Sequence, residues 1–163
     1  MSVGTQQLYW ALLVLALPAV VAWPTAPARA ESPAATCLRL GTEDTLREIP
    51  RSLVHAVNTA FGTRMPARVV LATTVFRCAN AHVLVCTTGA NLPCGRANTD
   101  RMRAPGAVDW CREHPDDAFI PAAVVGHETI YDWRCRIGAP EIARQAHEID
   151  GRGFFAQYWE RLR

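Results

Sequence analysis

Cys94, His127 and Asp132 are the residue types of a nucleophile, a general base and the group that orients the base. Cys94 follows Pro93 in a Gly-rich turn, so a small hydrolase using its thiolate is one reading. His127, Glu128 and His147 offer the imidazoles and carboxylate that zinc takes. No HExxH or similarly tight spacing accompanies them, and neighbours such as His127 and Glu128 point to opposite faces of a strand. Glycoside chemistry needs two carboxyl groups about 5–10 Å apart in a cleft. The available pairs are Asp116 with Asp117, which reads as a turn, and Asp109 with Glu113, which reads as a solvated helix face. Trp110, Tyr131, Trp133, Phe154, Phe155, Tyr158 and Trp159 crowd the last third of the chain. Such rings stack on sugars or anchor a protein interface, and a small domain also needs them as core.

The thiol reading meets a competing one. Cys37, Cys78, Cys86, Cys94, Cys111 and Cys135 all follow a segment with the marks of a secretory signal. Residues 8–22 are almost wholly apolar, and Ala28-Arg29-Ala30 is a small-x-small site that predicts cleavage before Glu31. The apolar run is shorter than the roughly 20 residues of a spanning helix. No stable membrane insertion is therefore expected after cleavage, and residues 31–163 are expected to form a single exported domain. An even cysteine count in such a chain reads as a disulfide framework. The cysteines are also too widely spaced for a structural zinc site. Cys94 then counts as half of a disulfide, and the balance is against an enzyme. Six cysteines allow fifteen connectivities.

Charge excludes some partners. Once Arg29 leaves with the signal, sixteen arginines face fifteen acids. A near-neutral surface gives no electrostatic reason to bind nucleic acid or anionic membrane. The chain has no lysine, a bias of composition that strips the use of arginine of diagnostic value.

The positioning elements come from periodicity and turn chemistry. Leu46, Ile49, Leu53, Val57 and Phe61 recur at helical spacing, and with Pro50 at the start and Gly62 as a stop they predict a helix over 50–61. The β-branched run 68–77 predicts a strand, with a return strand over 82–87. A three-residue loop at 79–81 would put Cys78 and Cys86 on one face. A two-residue turn at 80–81 would put Cys78 opposite Val83 and send Cys86 to the other face. Neither register sets Cys78 directly across from Cys86, so each is expected to pair elsewhere, with Cys111 and Cys135 as the favoured partners. Residues 89–95 read as a turn, 105–114 as a short helix stopped by Pro115, and 118–125 as a strand interrupted by Pro121. Alternation over 129–135 predicts a strand with an aromatic face, followed by a turn at 136–140. The segment 141–149 fits a strand or a helix. Phe154, Phe155, Tyr158, Trp159 and Leu162 form a helical stripe, and with Asp150 as cap they predict a C-terminal helix over 153–162. The expected fold class is α+β, a small disulfide-stapled antiparallel sheet with N- and C-terminal helices.

GANLPCGRAN at 89–98 and GHETIYDWRC at 126–135 resemble two motifs of a group of small exported bacterial proteins of unknown function. The resemblance extends over most of 48–160, with Arg96 where the group's pattern has lysine. It implies export and disulfides, and suggests that 89–97 and 126–135 work together, but implies no mechanism.

These observations favour an exported, non-catalytic binding module without a cofactor or metal. Its partner would be a protein or a cell-envelope ligand. The expected binding residues are Asn91, Leu92, Arg96, His127 and Asp132. An inhibitor of an enzyme such as a lysozyme is the alternative from another class, beside the small hydrolase.

Overall fold

The computed structural model describes residues 30–89, 92–102 and 105–163. The expected signal segment, up to residue 29, and Asn91 lie outside the described residues. Residues Glu31–Arg163 form one compact unit.

The centre is the hairpin of β2 (Thr74–Ala79) and β3 (His82–Thr87). Its turn has two residues, Asn80 and Ala81, with φ of +51° and +64°. Positive φ at both positions is what a type I′ hairpin turn demands. Cys78 therefore pairs with Val83, and Val75 with Cys86. Side chains alternate along a strand, so Cys78 and Cys86 leave the hairpin on opposite faces. β1 (Glu43–Glu48) and β6 (Glu160–Arg161) extend the sheet antiparallel, in the order β1-β2-β3-β6. β1 is a charged edge, which discourages further pairing.

The Cys78 face is covered by helices. α1 (Pro33–Leu40) starts at Ser32, whose Oγ accepts from the Ala35 N–H at 3.2 Å, and stops at Gly41 with φ +70°. Cys37 on α1 is joined to Cys78 by a disulfide. A single 3-10 turn (Arg51–Leu53) runs into α2 (Val54–Ala60), as the 50–61 periodicity predicts. α3 (Ala67–Thr73) occupies the first part of the expected 68–77 strand. Pro66 sets the first turn, its carbonyl accepting from the Val69 and Val70 N–H groups. Packing then overrides the β-propensity of the valines, because Val70 joins Val57, Phe76, Val83, Val85 and Ile49 in the core.

A second layer carries α4 (Pro105–Glu113), α5 (Ala122–Val125) and a two-stranded sheet of β4 (Tyr131–Arg136) and β5 (Ala139–Gln145). β5 decides the first part of the ambiguous 141–149 segment, as far as Gln145, as strand, and the turn shrinks to Ile137-Gly138. The expected 118–125 strand survives only as two backbone bonds to β4, Ile120 N–H to Trp133 O and Cys135 N–H to Asp117 O. Pro121 has no N–H to extend the pairing and instead opens α5. Cys111 and Cys135 bond to each other. They are not the hairpin's partners, because α4 lies against the β4–β5 ribbon while Cys86 is taken by Cys94.

The C-terminal helix is reduced to one 3-10 turn (Ala156–Tyr158) ahead of β6. The rest of 153–162 is extended or bent for a packing reason. Phe154 and Trp159 enter one buried cluster with Cys86 and Cys94, while Phe155 and Tyr158 pack into another with Trp133, Ile120 and Ile130. An extended backbone sends adjacent Phe154 and Phe155 opposite ways, whereas a helix would put both on one side. Among the described residues no helix is long and apolar enough to cross a membrane.

The three disulfides close spans of 41, 8 and 24 residues. Chain entropy assigns about 4 kcal/mol to the first and about 2.5 kcal/mol to the second. Replacing Cys37 and Cys78 together by Ala should therefore lower urea stability more than replacing Cys86 and Cys94. The reverse order in equilibrium unfolding would contradict this ranking.

Candidate functional site

The two motif stretches meet in space. Asn98 N–H donates to Glu128 O at 2.6 Å, and Ile130 N–H donates to Asn98 O at 3.1 Å. Beside this junction lies an open groove of about 590 Å³. Three of the expected binding residues, Leu92, His127 and Asp132, line it. The floor is Ile120, Pro121 and α5, and Tyr131, Tyr158, His147 and Phe119 complete the walls. Phe119 is 58 % exposed there, beside Leu92, which is also exposed.

Most polar groups of the groove are already engaged. Asp132 Oδ2 forms an ion pair with Arg144 Nη2 at 2.5 Å. Thr129 Oγ1 accepts from the Tyr131 N–H and, at 3.3 Å, from Trp133 Nε1. His147 Nδ1 is 2.7 Å from Gln157 Nε2, and its ring packs edge-on to Phe155. His127 is exposed and makes no side-chain hydrogen bond among the described residues. The surface left over is chiefly apolar.

The other chemical readings find structural employment. Cys94 is bonded to Cys86 and has no thiol to ionise. Among the described residues no three His, Cys, Asp or Glu side chains gather as a metal site requires. Asp116 Oδ1 accepts from the Ile137 N–H, and Asp117 Oδ2 from Trp110 Nε1. Asp109 pairs with Arg112 on the open face of α4.

Arg96 is not part of the groove. It donates to Asp44 Oδ2 and to Arg152 O, both at 2.6 Å. Arg152 binds the same Asp44 carboxylate. This network surrounds a residue that sequence reasoning passed over, Arg77. Only 1 % of Arg77 is exposed, its guanidinium lies 4.2 Å from the Phe154 ring and 4.5 Å from the Trp159 ring, and Asp150 is its ion-pair partner. Alternation in the hairpin was the available signal, since Arg77 shares a face with Val75, Leu84 and Cys86. Its Nε and Nη1 have no hydrogen-bond acceptor among the described residues. The two rings supply the attraction there, as aromatic faces do for cations.

Asp150, expected as the N-cap of a C-terminal helix, instead closes a turn, accepting from the Arg152 and Phe154 N–H groups at 2.8 and 3.0 Å. Burial opposes its ionisation, but these two N–H groups and Arg77 outweigh it and hold the carboxyl below the usual range. The hydrogen bond from Arg152 lowers Asp44 further than its own partial burial raises it.

No family model matches the chain, and no curated protein or solved structure matches it.

Both acids have depressed folded-state pKa values. Their stabilisation is thus fully present above the unfolded carboxyl value of about 3.9 and is lost as pH falls through the folded values. Asp150→Asn should flatten this acid limb of stability. At neutral pH it should cost about 3 kcal/mol, because a buried cation loses its counter-charge. Arg77→Met should cost less, since Asp150 is partly exposed and keeps its backbone donors. Urea melts from pH 7 to 3 check both, and an Asp150→Asn variant as stable as wild type would refute the account.

Proposed function

We propose that this chain is an exported bacterial binding module, delivered to the periplasm or the exterior after loss of residues 1–30, and akin to the small exported proteins that share its two motifs. The single exported domain is residues 31–163. Its three disulfides are consistent with an oxidising compartment.

The observation that carries the reading is the groove beside the 98–130 junction. It gathers Leu92, His127 and Asp132 from the two motif stretches and leaves Phe119 exposed on a rigid, cross-linked frame. Because Thr129, Asp132 and His147 are satisfied internally, the groove selects an apolar group rather than a densely hydroxylated ligand. The partner is a protein that inserts an aliphatic or aromatic side chain, with Phe119 as its anchor. His127 supplies a polar edge.

A photoreactive amino acid at position 119, compared in living cells with one at exposed Leu38, should give a position-specific protein adduct. The captured protein, once purified, should bind wild type and lose at least about tenfold affinity for Phe119→Asp, a loss of about 1.4 kcal/mol. If position 119 yields no specific adduct, or Phe119→Asp binds equally well, the groove is not the recognition surface.

A further inference from the structure

Ile137 occupies the tip of the β4–β5 hairpin with φ +51°, in the left-handed region, and its side chain is 86 % exposed. A β-branched residue at positive φ is a genuine outlier, where Gly, Asn or Asp would sit without strain. Among the described residues, Ile137 belongs to none of the packed apolar clusters that could offset that strain. The tip is nevertheless held in place: Ile137 N–H donates to Asp116 Oδ1 at 3.4 Å, Gly138 N–H donates to Pro115 O at 2.9 Å, and Cys135 is bonded to Cys111. A rigid frame thus presents an apolar knob to solvent, a preorganised contact element.

We propose that the partner of the groove is a second copy of this chain, joined in a two-fold dimer in which Ile137 of each copy enters the other's groove. This rests on the groove being the recognition surface. The two features suit reciprocal exchange because one strand carries both. Asp132, at the groove, and Ile137 are five residues apart, about 17 Å of extended chain. Two hairpins laid antiparallel across a two-fold axis bring each tip over the opposite groove, so that the same patch serves both copies. Charge agrees with this pairing. Arg136, beside the knob, and Glu128, at the Gly126 rim of the groove, are both exposed and make no ion pair among the described residues. The docked arrangement sets each Arg136 against the partner's Glu128.

Sedimentation velocity on the purified, oxidised exported chain tests the dimer. Wild type should approach twice the monomer mass as concentration rises. Ile137→Gly should stay monomeric over the same range and melt no lower than wild type, because Gly adopts positive φ freely. Arg136→Glu should weaken association about tenfold, and adding Glu128→Arg should restore it. The proposal is overturned by a wild type that is monomeric into the millimolar range. It is equally overturned by Ile137→Gly associating like wild type, or by a double reversal that recovers nothing. A monomeric wild type whose position-119 adduct is a different protein sinks the dimer and leaves the recognition surface intact. The absence of any such adduct sinks the surface itself.

Discussion

One buried cation sets the terms for the C-terminal half of the sheet. Arg77 lies on a central strand, almost fully out of water, and its charge must be met there. The counter-charge comes from Asp150, 73 residues later. Asp150 also holds two backbone N–H groups of the turn that delivers Phe154, and Phe154 and Trp159 close over the guanidinium. One carboxylate thereby shapes the turn, neutralises the cation and places the rings that cover it. Asp44, gripping both Arg96 and Arg152, fastens β1 to the same turn.

The second organising fact is the alternation of the β2–β3 hairpin. A two-residue turn puts Cys78 and Cys86 on opposite faces, so the same ribbon is cross-linked to α1 on one side and to the loop holding Cys94 on the other. The C-terminal segment uses the same rule. Phe154 and Phe155 diverge into separate clusters, and the extended backbone between them ties those clusters together.

The groove follows from these constraints. It lies where the segment after Cys94 crosses residues 128–130 and where Pro121 turns the chain into α5. Leu92, His127 and Asp132, which line it, were picked out because they stand in the two most distinctive stretches of the chain. Phe119 was not, because an aromatic residue in an apolar run reads as buried until packing shows that the floor is already filled by Ile120. Arg96 does not line it: a surface-looking arginine in a turn gives no sign that Asp44, 52 residues away, will pair with it.

Sequence alone determined what depends on neighbours in the chain. The 82–87 strand, the helix after Pro50, the helix at 105, the aromatic strand ending in Cys135 and the α+β class all follow from period, proline position and turn chemistry. The alternatives it left open, two-residue against three-residue turn and strand against helix at 141–149, differ by amounts that local propensity cannot separate. Tertiary structure decided those, along with the pairing of the cysteines, the helix at 67–73 and the unravelling of the expected C-terminal helix. In each case the deciding free energy is burial shared with residues far away in sequence: Val70 with Val57 and Phe76, Phe154 with Arg77, and Phe155 with Trp133. Such contacts exist only after the chain has closed on itself.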